Sequence, residues 1–311
     1  MTRLAAVSTR SWRAVGLCLI ALIAALPARA QAPAATSAAA REAELNAAYE
    51  AGVQAGTRGP AKVTLIDQAN LDVPADELFV PRKEAARILR ALGNTITESN
   101  LEGIVLGTKS GDGWIVVVRY IKEGYIKDDE AKDWNADELL TNLKQGNEEA
   151  NKDRVARGFP EVEIVGWLEK PAYDATTHRL VWSLSSRHKS EPAAAVNGIN
   201  YNTYALGRDG YFSLNLLSDS NKIASDKAVA RTLLGALAYN DGKRYQDFNA
   251  STDHIAAYGI AALIGGVAAK KLGLLALIGA FAIKFAKLIA IGVAALLAGV
   301  WKLFGRKRAD V

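Results

Sequence analysis

The sequence predicts an α+β domain with an antiparallel sheet and several helices, exported from the cytoplasm and followed by a C-terminal transmembrane helical region. Three observations carry that reading: a secretory signal at the N-terminus, a long apolar stretch interrupted by lysines at the C-terminus, and turn-linked strand pairs mixed with helices between them. Hairpins, rather than alternating strand–helix units, exclude a parallel doubly wound sheet.

The signal comes first. Arg3, Arg10 and Arg13 form a positive region, Ala14 to Leu26 is apolar, and Pro27 precedes Ala28-Arg29-Ala30, a small-x-small pattern cut before Gln31. The run is short for a span, which needs roughly 17 to 25 residues, so cleavage is expected rather than a retained signal anchor. The single cysteine, Cys18, leaves with this segment. The mature chain then has no disulfide, thiolate nucleophile or cysteine-based zinc site, an arrangement suited to a bacterial periplasm. The divisions read as a signal peptide (1–30), a flexible and helical leader (31–60), a periplasmic α+β domain (61–254), a membrane-anchoring helical region (255–304) and a basic tail (305–311).

Within the domain, Arg41 to Val53 is Ala- and Glu-rich and predicts a helix ending near Gly56. Lys62 to Ile66 alternates weakly. Leu78 to Val80 precedes Pro81, which opens a helix to Leu92 with Ala85, Ile88, Leu89 and Leu92 on one face. Trp114 to Ile121 is the clearest strand; it follows Gly111-Asp112-Gly113 and pairs with Ile104 to Leu106. Asn135 or Asp137 caps a surface helix to about Ala156, whose thin apolar face is Leu139, Leu140, Leu143 and Ala150. Strands follow over Val162 to Leu168 and Leu180 to Leu184. Tyr201 to Leu206 and Tyr211 to Leu217 flank a hairpin turn at Arg208-Asp209-Gly210, with Phe212, Leu214 and Leu216 toward the core and Ser213 and Asn215 on the other side. Ser225 is expected to cap a helix through Ala238, with Val229, Leu233 and Leu237 on one stripe.

From Ile255 the composition turns apolar, broken by Lys270-Lys271, Lys284 and Lys287, and it ends at Trp301, Lys302 and Arg306-Lys307-Arg308. A lysine at a helix centre in lipid costs about 2.5 to 3.5 kcal/mol unless it snorkels, so these lysines belong near headgroups. A basic tail kept in the cytoplasm requires an odd number of crossings, with one span from about Phe285 to Phe304; a hairpin turning at the lysines would leave the tail outside.

Several blocks in order resemble a known group of proteins. Gly124-Tyr125-Ile126-Lys127-Asp128-Asp129, Asn147-Glu148-Glu149-Ala150-Asn151-Lys152, Gly166-Trp167, Tyr173-Asp174-Ala175-Thr176-Thr177-His178-Arg179-Leu180, Leu206-Gly207-Arg208 and Tyr245-Gln246-Asp247-Phe248 are similar to the bacterial membrane-anchored proteins grouped as DUF2167, a domain of unknown function. The resemblance runs from about Ala61 through the anchor. It implies an exported domain with a C-terminal anchor, and it brings no activity, cofactor or catalytic residue.

Asp133, Asn135 and Asp137 have the opening spacing of a calcium loop, but Glu138 replaces its glycine and Lys144 its bidentate glutamate, so no metal site is expected. Asp174 and His178, beside Thr176 and Thr177, offer an orienter and a base, yet Asp and Thr are also turn residues. Tyr120, Tyr125, Trp134, Trp167, Tyr173 and Trp182 are groove or core aromatics. No nucleophile elbow, zinc-protease motif or phosphate loop is present. The net charge of +5 is modest, and without a basic stripe nucleic acid is excluded as a partner. The expected function is a non-enzymatic binding domain with no cofactor, whose partners are the bilayer and an envelope protein. Asp128, Asp129, Asp174, His178 and Arg208 form its candidate surface; the alternative is a periplasmic hydrolase in which the Asp128/Asp129 and Asp174/His178 blocks converge.

Overall fold

The computed structural model describes residues 38–265 apart from residue 95. The expected signal peptide, most of the anchoring region (266–304) and the basic tail lie outside the described residues.

An N-terminal helix, α1 (Ala38–Ala55), leads into four short strands: β1 (Thr57–Arg58), β2 (Ala61–Leu65), β3 (Ala69–Val73) and β4 (Glu77–Pro81). Pro81 ends β4 and stands before α2 (Arg82–Ala91), where its fixed φ suits a helix entry. The hairpin of β5 (Leu101–Gly107) and β6 (Ile115–Ile121) follows, with Ile104, Val105 and Leu106 opposite Val117, Val116 and Ile115 as the sequence predicts. α3 (Ala136–Ala156) is capped by Asn135, whose side-chain oxygen accepts from the backbone N–H groups of Asp137 and Glu138. Then come β7 (Val162–Asp174), β8 (Arg179–His188), β9 (Gly198–Gly207), β10 (Gly210–Asp219), α4 (Ile223–Ala236) and β11 (Leu237–Tyr239).

Eight strands form one antiparallel sheet in the order β1-β4-β5-β6-β10-β9-β8-β7, and β11-β3-β2 form a second, small one. Both faces of the large sheet carry packed elements, and β4, β5 and β6 are apolar at both parities. One face carries α4 and the small sheet over Phe79, Val105, Val116, Val118, Phe212, Leu214 and Leu216. The opposite face is divided. α1 and α2 cover Leu78, Ile104, Ile115 and Val117, with Ala85, Ile88, Leu89 and Leu92 turned inward as their spacing requires. α3 covers Ile164, Leu180, Trp182 and Leu184.

Three expectations are corrected. Ser225 does not cap α4: its hydroxyl donates to the Lys222 carbonyl, while the Asp219 carboxylate accepts from the N–H groups of Asn221 and Lys222. The helix stops at Ala236, and Leu237 leaves it to pair with β3. The chain past Ile255, read as the opening of the membrane region, packs on the domain as far as residue 265. Ile260 and Ile264 are fully buried beside Leu139 and Leu143, and residues 262–265 form one helical turn. Ala256, Tyr258, Ile260 and Ala262 to Ile264 therefore close a water-shielded core. Among the described residues no helix is long and apolar enough to cross a membrane.

Candidate functional site

The loop after β6 and the segment 253–264 run side by side. Tyr125 N–H donates to the His254 carbonyl at 2.8 Å, Ala256 N–H to the Tyr125 carbonyl at 2.9 Å, and Ile260 N–H to the Lys127 carbonyl at 3.0 Å. Gly124 permits this approach. Its φ is +90°, and a Cβ there would lie 2.6 Å from the His254 carbonyl oxygen.

On this seam the structure brings Asp128 and His178 together through a residue between them. The Tyr173 hydroxyl donates to Asp128 Oδ2 at 2.6 Å, and His178 Nδ1 lies 3.1 Å from the same hydroxyl and 3.7 Å from that carboxylate. Because the phenol has one proton and gives it to Asp128, the network assigns the Nδ1 proton to the imidazole, donating to Tyr173. Burial, followed by the Asp128 carboxylate, pushes the Tyr173 phenol well above its ordinary range. It stays protonated as a bridge. The His178 ring stacks on Tyr245 at 4.1 Å, Tyr245 on Tyr125 at 4.4 Å, and Tyr125 on Phe248 at 3.9 Å. The Tyr245 hydroxyl, also raised first by burial, donates to the Ile126 carbonyl. His178 holds a left-handed φ of +54° at the β7–β8 turn, and its carbonyl accepts from Leu206 N–H. Left-handed backbone is uncommon outside glycine, though histidine tolerates it better than branched residues.

The other candidates stand apart from this cluster. Asp174 is exposed and occupied locally: it accepts from Thr176 N–H at 2.9 Å and from the Thr177 hydroxyl at 2.7 Å, which lower its carboxyl below the usual value. The hydroxyl that would serve as a nucleophile is thus a turn donor. Asp129 is exposed at the start of a short 3-10 turn over Asp129–Lys132. Arg208, at the β9–β10 hairpin tip, grips Asp253 with two parallel bonds of 2.7 and 2.8 Å, and the guanidinium holds that carboxyl well below its ordinary range. Its role is to brace the segment that reaches Tyr125.

Sequence reasoning named Asp128, His178, Tyr125 and Tyr173 but missed Tyr173 as the bridge and Tyr245 as the platform. Asn147 and Asn151 have a different job: both side chains donate to the Val162 carbonyl, and Asn151 accepts from Val162 N–H, pinning α3 to β7. Ser213 and Asn215, placed on the side away from the core, are on that side but buried, at 8% and 5% exposure. Among the described residues no three His, Cys, Asp or Glu side chains gather as a metal-holding group.

No curated protein matches the sequence. Similar solved structures include cyanobacterial PsbP (CyanoP) from Synechocystis sp. PCC 6803, at 10% identity and TM-score 0.36 over 58% of this chain and 92% of that one. Another is the Saccharomyces cerevisiae Ran-binding protein Mog1p, at 10% identity and TM-score 0.31 over 61% of this chain and 98% of that one. Likeness at this level carries no argument about function. The family model described as "Protein of unknown function (DUF2167)" matches residues 57–299, and the chain belongs to that family.

Proposed function

We propose that the protein is a non-enzymatic binding domain on the periplasmic side of a bacterial inner membrane, tethered there by the apolar stretch beyond residue 265. The observation that supports the binding reading is the closed Asp128–Tyr173–His178 network. The Tyr173 hydroxyl that meets the imidazole gives its proton to Asp128, among the described residues no serine, threonine or cysteine is hydrogen-bonded to His178, and four stacked rings stiffen the surface around it. The partner is an envelope protein that meets this seam, and lipid holds the tail. Crosslinking and mass spectrometry of the full chain purified from its native membrane tests both parts. A specific protein crosslinked through residues 122–130 supports the partner, and recovery of bulk lipid alone overturns it. Release of the full chain by an alkaline wash without detergent overturns the tether.

A second reading rests on one contact. Asp128 and His178 do converge, so the imidazole, oriented through Tyr173, would act as a base toward water in a periplasmic hydrolase. Unchanged complementation of a knockout by His178→Ala would remove that reading.

A further inference from the structure

Opposite α4, the middle of the large sheet is left to polar side chains. α1 and α2 sit over β4 and β5 at one side, and α3 over β7 at the other. Between them the register sets Trp182, Asn202, Asn215 and Val117 in one row across four strands, and Leu180, Tyr204, Ser213 and Arg119 in the next. Asn200, opposite Leu184, flanks the first row. Asparagine is depleted in strands, and three on adjoining central strands serve no packing purpose.

These groups are buried and incompletely bonded. Trp182, Asn200, Asn202 and Asn215 are 6%, 4%, 7% and 5% exposed. The Asn215 amide donates to Asn202 Oδ1, and Asn202 Nδ2 reaches the Asn200 carbonyl at 3.4 Å. Among the described residues Asn200 Nδ2 and Asn215 Oδ1 have no hydrogen-bond partner, and Trp182 Nε1 has only a poorly aligned approach to the Tyr204 hydroxyl. Among the described residues Arg119, opposite Ser213, has as its electrostatic neighbour the buried Tyr204 phenol, which burial keeps protonated, rather than a carboxylate. Burial lowers the Arg119 guanidinium to about 10, although part of the residue still meets solvent. Each unpartnered buried polar group costs about 1–3 kcal/mol, and a desolvated cation without a counter-ion costs more.

We propose that this patch binds a small organic carboxylate carrying an amide, the chemistry shared by an N-acylated amino acid and the C-terminal end of a short peptide. The carboxylate takes the forked donors of Arg119. The amide N–H meets Asn215 Oδ1, and the carbonyl oxygen accepts from Trp182 Nε1 and Asn200 Nδ2. β6 and β8 lie three strand spacings apart, about 14 Å, which the long Arg119 and Trp182 side chains reduce to about one or two peptide units. The inference deepens the binding-domain reading and rests on it. The rival occupant is ordered water.

The test uses the full chain in detergent, isotope-labelled at the tryptophan indole nitrogens, with Trp182→Phe assigning the Trp182 signal. N-acetylalanine is expected to shift that signal to saturation, with acetate and N-methylacetamide each binding about tenfold more weakly or worse. Arg119→Met is expected to weaken N-acetylalanine by about tenfold. Should that variant fail to fold, Asn215→Asp, which sets a like charge against the ligand, is expected to do the same. Tighter binding of trialanine assigns the site to peptide ends, and tighter binding of N-lauroylalanine to acylated amino acids; either supports the shared chemistry. A Trp182 signal that stays still, or that responds equally to acetate, overturns the proposal in favour of water or an adventitious ion only. Crosslinking at residues 122–130 scores the partner separately, so the two failures are distinguishable.

Discussion

Leu214 and Asn215 are neighbours on β10 that point to opposite faces of one sheet, and they obey opposite rules. On the α4 face, Leu214 is fully buried among Phe212, Leu216, Val116 and Leu233, in a single continuous apolar cluster. On the other face two separate clusters lie to either side, and Asn215 sits between them with an acceptor unpartnered. The first arrangement stabilises the fold. The second sacrifices part of that stability for buried polar groups, which is what a recognition surface requires.

Four measurements break or sharpen this contrast. Leu214→Ala should have the largest effect, costing about 3–4 kcal/mol in denaturant unfolding, since a well-packed site collapses only partly around the cavity. A loss under about 1 kcal/mol would show the α4 face to be loosely packed.

Glu77 comes next, at the margin of the α4 face on β4. Burial, then the nearby Asp112 carboxylate, pushes its carboxyl from 4.5 up to about 7. The folded state therefore holds more protons than the unfolded chain between pH 4.5 and about 7. Its contribution is fully present below that window and is lost as pH rises through it, a fall of about 3 kcal/mol. In Glu77→Gln this component of the slope should vanish when unfolding is compared at about pH 5 and about pH 8.

Tyr173→Phe tests the polar side. It leaves Asp128 without its phenol donor and His178 without its acceptor, and should cost about 1–2 kcal/mol in the same unfolding measurement. Asn215→Leu should be the mildest, changing stability by less than about 1 kcal/mol, because removing an unpartnered acceptor and adding apolar surface offset the loss of the donor to Asn202 Oδ1. A loss comparable to that of Leu214→Ala would mean both faces are packed alike.

The sequence was most legible where one periodicity dominated. The hairpins β5–β6 and β9–β10, the inward stripe of α2 and the Asn135 cap could all be read from alternation, turn residues and capping chemistry. Of the small sheet only β2 was legible, in the weak alternation of Lys62 to Ile66. β3 carries Asn70 and Asp72 on its outer side, and β11 is three residues peeled from a helix by tertiary pairing, so neither has a strand-like composition. At the candidate site, the Asp174–His178 pairing failed because proximity in sequence favoured Asp174, whereas the fold turned that carboxylate onto its own loop. Asp128 arrives from 50 residues upstream, a separation that local pattern does not encode. The buried asparagines did leave a signal, since Asn200, Asn202 and Asn215 interrupt otherwise favourable strands.

The parallel pairing of Tyr125 with Ile255 has a mechanical consequence. Traction applied to the polypeptide beyond residue 265 would enter the globule through the Ile260–Lys127, Ala256–Tyr125 and His254–Tyr125 backbone contacts. Force along such a seam loads its bonds together in shear, and the Arg208–Asp253 clasp lies directly upstream as a brake. A tug from that end would strain the Asp128 loop before it reached the sheet.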